Sequence, residues 1–306
     1  MTLPKRIVFF WAQGAAAAPQ VVQRCWRAWG EKNPGWEIIV ADSEVAKKTF
    51  KAAGILHEPL TLQGQADIFR VLNLASHGGV YVDAATVPIL PLDQWIHDLT
   101  TRGAFLFHDP YRKRSVENWF LACEPGDPIM RSWARQIVGY WDRPRGIQTC
   151  KRSLDAGWLG VLAARRDVLA VGRSNGAASP ARRPKRVIEP KDRIWSVKPE
   201  GGAQRPLHPY FWPHYLFDLM LEEAPEIRAL WGQVPKLPSY KELMLRHWKR
   251  RYAEMTGDDI QALMKGARMQ KLALNKLPSE YQMEQIFKFA GLMPFDKNNF
   301  RSEANV

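Results

Sequence analysis

The chain has 306 residues, of which 46% are hydrophobic and 25% are charged. This balance is typical of a folded soluble protein and excludes the disordered, collagen-like and disulfide-stapled classes. Lysine and arginine (44) exceed aspartate and glutamate (31) by 13, which predicts a polyanionic partner: a nucleic acid, an anionic membrane surface or a phosphorylated small molecule.

The cysteines and the hydropathy pattern indicate the setting of the protein. Cys25, Cys123 and Cys150 are odd in number and widely spaced, so they predict neither a disulfide framework nor a zinc site. No apolar stretch reaches the ~18 residues of a membrane span, and the N-terminus does not read as a secretory leader. We therefore expect a reducing, cytoplasmic location.

The first half of the chain alternates short apolar runs with helical patterns, which is typical of βα units around a mostly parallel sheet. Either Asp42 or Ser43 is suited to cap the helix that follows the second strand, because a short side-chain oxygen accepts free backbone N–H groups. We therefore predict an α/β fold with a mostly parallel, Rossmann-like sheet and flanking helices. Strands are predicted at 6–11, 36–40, 80–82, 104–107 and 119–122, and helices at 20–32, 62–76 and 128–141.

The second half has a weaker pattern. Residues 173–206 combine basic residues, prolines and glycines with little periodicity, which indicates an exposed loop or insertion. Helical patterns then return, and helices are predicted at 210–223, 240–251, 258–271 and 279–289.

The most informative segment reads QADIFRVLNLASHGGVYVDAATVPILP and begins at Gln65. Asp67 and Arg70 are three residues apart on a predicted helix, so their side chains leave the same face. A glycine pair then returns the chain into a strand that ends at Asp83. Because ligands of open α/β sheets bind beyond the carboxyl ends of the strands, we predict that two carboxylates and a guanidinium face one crevice.

This segment resembles the Asp-x-x-Arg…Gly-Gly-x-Tyr/Trp-x-Asp block of sugar-transferring enzymes with the A-type glycosyltransferase (GT-A) fold. It is most similar to the capsular polysaccharide synthesis proteins and their relatives in glycosyltransferase family 32, with the glucosylating domains of large clostridial toxins as more distant relatives. The resemblance is good over 3–95, patchy over 117–143 and 207–275, and almost absent over 145–205. Further stretches that carry it are 4–11 (PKRIVFFW), 28–29 (AW), 33–37 (NPGWE), 118–120 (NWF) and 210–218 (YFWPHYLFD).

The resemblance implies that Asp83 is the first acid of a DxD motif, which binds a divalent cation, Mn²⁺ or Mg²⁺, on the diphosphate of a nucleotide sugar. The third position is Ala85, so the second carboxylate is missing, as in the capsular branch, where the stretch often reads Asp-Ala-Thr. Either Asp83 holds the metal together with another ligand, or metal dependence is weak. His214 and Asp218 are four residues apart and share a helical face, which makes them candidates for the extra ligands.

The same resemblance assigns roles to the other site residues. Asp67 and Arg70 would contact the ribose, sugar hydroxyls or phosphate of the donor, Trp11 would stack near the base, and Asn118 would lie near the transferred sugar. Asp67, Arg70 and Asp83 are thus the expected catalytic residues. Because no pair of carboxylates identifies an enzymatic nucleophile, we favour retaining front-face transfer through an oxocarbenium-like state.

The resemblance therefore predicts a glycosyltransferase that moves a sugar from a nucleotide-sugar donor to a glycan or lipid-linked acceptor in bacterial capsular, exopolysaccharide or lipopolysaccharide biosynthesis. The expected catalytic GT-A domain spans 1–235, with a variable insertion near 145–205, and a helical, basic extension spans 236–306.

Two further hypotheses remain open. The basic run 246–251 (RHWKRR) indicates either a solvated face or peripheral contact with the anionic inner face of the plasma membrane. The missing acid at Ala85 leaves the alternative of a non-catalytic GT-A-fold protein that binds a glycan or polyanion. Nucleic-acid binding is not expected, because no recognised nucleic-acid-binding module is present.

Overall fold

The central feature of the fold is a five-stranded sheet. A computed structural model of the chain describes residues 2–55, 57, 61–108, 114–143, 148–149, 192–202 and 208–292. The strand order is β2-β1-β3-β6-β5. β2 and β3 pair with β1 in parallel, whereas β6 is antiparallel to both β3 and β5. Four of the five strands therefore run in the same direction and β6 runs opposite to them. This confirms the prediction of a mostly parallel α/β sheet. The strands are β1 (Arg6–Phe10), β2 (Glu37–Ala41), β3 (Gly79–Val82), β5 (Ala104–Leu106) and β6 (Phe120–Cys123).

Helices cover both faces of this sheet. The side chains of a strand alternate between faces, and β1 shows this clearly: Val8 and Phe10 belong to one apolar cluster, whereas Ile7 and Phe9 belong to the other. The first cluster includes residues of α3 and α5, and the second includes residues of α1. The helices of this half are α1 (Gln20–Lys32), α2 (Ser43–Ala52), α3 (Leu62–His77), α4 (Ile96–Leu99) and α5 (Pro128–Tyr140).

Local chemistry sets the ends of these helices. Asp42 rather than Ser43 caps α2, since its carboxylate accepts from the Val45 N–H at 2.9 Å. α3 ends at His77 with Gly78 as its C-cap, and the next residue, Gly79, has φ +93°; a Cβ there would lie 2.8 Å from the Arg6 carbonyl oxygen. This position therefore requires glycine, and the sharp exit from α3 allows β3 to pair with β1.

The C-terminal part is mainly helical. Its helices are α6 (Trp212–Glu223), α7 (Pro225–Gln233), α8 (Met244–Trp248), α9 (Gly257–Met264) and α10 (Glu280–Phe289). The predicted helix 240–251 is broken into α8 and the 3₁₀ turns Lys241–Leu243 and Lys249–Glu254, and α7 was not predicted.

The prediction of one helix over 258–271 is wrong in its second half. The chain leaves α9 at Met264, turns at Gly266 with φ +76°, and forms β9 (Met269–Lys271). β9 pairs antiparallel with β4 (Thr86–Pro88), so that Lys271 lies opposite Thr86. Because Met269 and Gln270 are fully buried in this pairing, the tertiary contact overrides the local helical pattern.

Residues on either side of the predicted boundary at 235 pack together. Trp29 and Phe105 share one apolar cluster with Leu245 and Ile286. The division into 1–235 and 236–306 stays a prediction.

Other predictions concern parts of the chain that the structure describes only in part. A short parallel pair joins β7 (Gln148–Thr149) to β8 (His208–Pro209). Most of the predicted insertion at 145–205 lies outside the described residues, as does Cys150. Cys25 and Cys123 are buried free thiols. Within the described ranges, every helix is too short or too polar to cross a bilayer.

Candidate functional site

A charged cluster lies at the carboxyl end of β3. Asp83 directly follows this strand, and its backbone N–H donates to the Trp119 carbonyl at 2.8 Å. The Arg70 guanidinium lies between the two predicted acids, with Nη2 3.3 Å from Asp67 Oδ1 and Nη1 3.4 Å from Asp83 Oδ1. The structure therefore brings Asp67, Arg70 and Asp83 together as the sequence predicts.

α3 holds Arg70 in one orientation. The Arg70 Nε–H donates to the Ala66 carbonyl at 3.0 Å, Nη1 donates to the Asn118 carbonyl, and the guanidinium lies 4.8 Å from the centre of the Tyr81 ring. The Arg70 and Asp67 side chains are only 5% and 4% exposed. Such a fully partnered, buried guanidinium is fixed in place, and so fixes the carboxylates beside it.

Two further predicted residues lie at or near this cluster. The Asn118 side-chain amide donates to Asp67 Oδ1 at 2.9 Å, so Asn118 is part of it. Trp11 follows β1, which runs parallel to β3 with Val8 opposite Tyr81, and therefore lies at the same edge of the sheet. Its indole N–H has no hydrogen-bond partner among the described residues. The roles assigned to Asn118 and Trp11 stay predictions.

Lys271 also belongs to the cluster, and sequence reasoning missed it. Its ammonium donates to Asp83 Oδ2 and forms an ion pair with it, and it lies 5.3 Å from the centre of the Trp119 ring. Lys271 comes from β9, a segment predicted as helix. One local signal was available, because Gly266 lies inside that predicted helix and glycine is a common helix stop.

The electrostatics of the cluster follow from burial and pairing. Burial by itself would raise the pKa of Asp83, but the Lys271 and Arg70 cations outweigh it and hold that pKa below its usual range. Burial raises the pKa of Asp67 to about 6, although Arg70 opposes the shift. Burial lowers the pKa of Lys271 to about 8, against the attraction of Asp83. At neutral pH the site therefore contains an ionised Asp83 held between two cations.

The ligand roles predicted for His214 and Asp218 stay predictions. Both lie on α6 as predicted. His214 is buried, and burial together with the charges of Arg114 and Arg70 lowers its pKa well below the usual value, so its ring is neutral. Asp218 accepts from the Ser115 backbone N–H at 3.2 Å. Among the residues that the structure describes, no three acids, histidines or cysteines form a group able to hold a metal ion.

The described residues therefore do not fit a divalent cation at Asp83. Mn²⁺ and Mg²⁺ take several oxygen ligands, yet each Asp83 oxygen faces a cationic side chain. Ala85, at the position of the missing acid, is buried in an apolar cluster. The predicted metal stays an expectation from the resemblance, and no chemical step below is routed through one.

The fold and the cluster together define an α/β protein with a cluster of charged side chains at the carboxyl end of its central strand. Comparison with known proteins then shows what the chain is similar to. The family of capsular polysaccharide synthesis proteins matches residues 2–149. A putative glycosyltransferase of Saccharomyces cerevisiae, HOC1, is 27% identical over 142 residues, which are 39% of this chain and 36% of that protein. The initiation-specific alpha-1,6-mannosyltransferase of Schizosaccharomyces pombe is 27% identical over 163 residues, 44% of this chain and 40% of that protein. Over part of its length the chain is thus similar to proteins that are named as glycosyltransferases.

The matches to the two curated relatives cover only part of each protein. The chain spans less than half the length of both curated relatives. Two solved structures are similar to it at low level: the PaToxG glycosyltransferase (15% identity, 57% of this chain and 81% of that one, TM-score 0.34) and the ligand-free glycosyltransferase domain of the YGT toxin (10%, 97% and 95%, TM-score 0.37). The assignment of an α/β fold consistent with GT-A therefore rests on the sheet described above.

Proposed function

We propose that the protein transfers a sugar from a nucleotide-sugar donor to a glycan acceptor. The observation that carries this proposal is the buried arrangement of Asp67, Arg70 and Asp83 at the carboxyl end of β3, where ligands of α/β sheets bind. The similarity to glycosyltransferases supports it. Because one relative is named as a mannosyltransferase, a nucleotide-linked mannose belongs among the donors to be tested.

The exposed fractions of the side chains in the cluster indicate which of them a donor can contact. The Asp83 side chain is 26% exposed, whereas those of Arg70 and Asp67 are nearly buried. In this proposal the donor touches Asp83, which accepts hydrogen bonds from its hydroxyls. Arg70 lies behind Asp83 and keeps its carboxylate ionised. Asp67 and the Asn118 carbonyl hold Arg70 in place, so all three act as positioning residues.

The reaction that we propose is a front-face substitution. The bond between the anomeric carbon and the diphosphate oxygen breaks, and the diphosphate keeps the electron pair. The acceptor hydroxyl oxygen forms the new bond to the anomeric carbon on the same face, and its proton passes to the departing diphosphate. Atoms and charges balance, and the anomeric configuration is retained. No protein nucleophile is needed.

The acceptor that we propose is a growing surface polysaccharide or its lipid-linked precursor, at the inner face of a bacterial plasma membrane. The family description supports a role in capsular polysaccharide synthesis. The basic segment 246–251 supports the membrane contact, because Trp248 is 37% exposed within it and Arg251 lies 5.1 Å from its ring. Exposed aromatic and basic side chains together favour an anionic bilayer surface.

Calorimetric titration with a panel of nucleotide sugars tests the proposal. We expect at least one UDP-, GDP-, ADP- or dTDP-linked sugar to bind, and Asp83→Asn to weaken that donor at least about tenfold through the loss of charge-assisted hydrogen bonds. Asp98→Asn, the same change at an exposed site, is the matched control and should leave affinity unchanged. Absence of binding by every donor, or equal affinity of Asp83→Asn, would contradict the proposal.

Ala85 favours a second candidate, a non-catalytic protein that binds a glycan or polyanion. The two candidates differ in turnover. Release of free nucleotide from a bound donor, well above the rate without protein, would eliminate the second candidate. Tight glycan binding with no donor turnover would support it.

A further inference from the structure

The remaining acid of the DxD-like motif, Asp83, is paired with a cation, Lys271. β9 lies along the motif: the Leu272 N–H donates to the Ala85 carbonyl at 2.8 Å, and Lys271 lies opposite Thr86. The Lys271 ammonium therefore reaches Asp83 from the strand that pairs beside Ala85 and Thr86. An aspartate at position 85 would place its charge in the apolar cluster that contains Ala85, where an unpaired charge is costly.

Lys271 has capacity to bind a ligand besides Asp83. An ammonium carries three N–H donors, and within the described part of the chain Asp83 is the acceptor that it contacts. The Lys271 side chain is 12% exposed and that of Asp83 is 26% exposed, so the pair opens toward the surface while Arg70 lies behind it. A phosphate oxygen at this opening would find an oriented, partly desolvated cation.

The charge balance of the cluster favours an anionic ligand. Asp67 and Asp83 provide two acids, whereas Arg70 and Lys271 provide two cations, and Arg246 is close enough to lower the pKa of both Asp83 and Lys271. Arg246 attracts the Asp83 carboxylate and repels the Lys271 ammonium, so these five side chains carry one positive charge in excess. An incoming diphosphate would neutralise that excess.

We infer that Lys271 binds the diphosphate of the donor and supplies the positive charge that a divalent cation supplies in a complete DxD motif, with Asp83 holding the ammonium in position. This inference rests on the proposed function. It makes Lys271 a substrate-binding residue that stays protonated while the diphosphate leaves with its electron pair. Donor binding then needs no metal.

Titration of the whole chain with UDP, GDP, ADP and dTDP, in EDTA and in Mn²⁺, tests the inference. We expect the nucleotide that binds to do so in EDTA within about twofold of its affinity in Mn²⁺. Lys271→Met should weaken it at least about tenfold, the loss of one charge-assisted hydrogen bond, whereas Lys271→Arg should retain most of the affinity. Lys265→Met, the same change at an exposed lysine, should have no effect.

Each outcome decides one of the two proposals. If EDTA abolishes binding by the unmodified protein, or if Lys271→Met binds as tightly as Lys265→Met, the role of Lys271 is refuted while the proposed function stands. If no nucleotide binds under either condition, the proposed function itself fails. Thermal unfolding of each variant shows whether it is folded. If Lys271→Met is not folded, the comparison of EDTA with Mn²⁺ and the affinity of Lys271→Arg still test the role of Lys271.

Discussion

Replacement of Arg70 by methionine tests the central guanidinium of the cluster. The change keeps most of the side chain's length but removes ion pairs to Asp67 and Asp83 at 3.3 and 3.4 Å and hydrogen bonds to two backbone carbonyls. Removing one partner of a buried ion pair typically costs about 3–5 kcal/mol, because the other charge is left unpaired. Asp83 still has Lys271, so the unpaired charge is mainly that of Asp67.

This cost depends on pH in a defined direction. The pKa of Asp67 is about 6, and Arg70 opposes the upward shift that burial causes. Without Arg70 the pKa of Asp67 rises further. Asp67 of the variant therefore binds a proton at pH values where Asp67 of the unmodified protein is still ionised. We therefore expect Arg70→Met to lose about 3–5 kcal/mol of unfolding free energy near pH 8 and about 1–2 kcal/mol less near pH 5.5.

Urea unfolding followed by tryptophan fluorescence measures both values. Arg131→Met, on the exposed face of α5, is the matched control and should stay within about 0.5 kcal/mol of the unmodified protein. Adding Asp67→Asn to Arg70→Met should recover part of the loss, since it removes the unpaired charge. A loss below about 1 kcal/mol, or additive costs in the double variant, would refute the reasoning.

Three other expectations concern the glycine turn, the buried acid and the basic segment. Gly79→Ala should destabilise the protein by at least about 2 kcal/mol in urea unfolding, because Gly79 has φ +93° and a Cβ there would clash with the backbone of Arg6. Gly139→Ala, in α5 with open space around it, should instead stabilise the protein by about 0.5 kcal/mol. Equal effects of the two substitutions would contradict this description of the turn. Burial raises the pKa of Asp67 from 3.8 to about 6, so the folded protein binds this proton more tightly than the unfolded chain does. The unfolding free energy of the unmodified protein minus that of Asp67→Asn should therefore fall by about 2–3 kcal/mol from pH 4 to pH 7, and a constant difference would contradict the assignment. Trp248→Ser should lower the fraction of protein that co-sediments with phosphatidylglycerol vesicles at low salt. Trp195→Ser, also at an exposed tryptophan, should leave that fraction unchanged. Vesicle binding that neither salt nor Trp248→Ser changes would argue against membrane contact through this segment.

The sequence predicts those elements whose signals are local. α1 has the predicted bounds, α3 differs by one residue at its end, and α5 begins at the predicted Pro128. In each case an apolar periodicity of the correct length is bounded by a cap, a proline or a glycine pair. The meeting of Arg70 with Asp83 also follows from local rules, because a helix, a tight turn and a strand bring them to one sheet edge.

The missed features depend on contacts between distant parts of the chain. Lys271 and Asp83 are 188 residues apart in sequence, and β9 exists because it pairs with β4 and buries Met269 and Gln270. No periodicity within 258–271 encodes that pairing. The metal prediction also comes from the motif read locally, and it stays a prediction. The fold brings the Lys271 ammonium to the same carboxylate from the other end of the chain.

A crystal structure of the protein with a bound nucleotide sugar tests the central claim most directly. The account predicts that the diphosphate-linked sugar lies at the carboxyl end of β3, with oxygens of the donor within hydrogen-bond distance, about 3 Å, of Asp83 and Lys271. A donor bound along other elements, with Asp83 and its neighbours untouched, would contradict it.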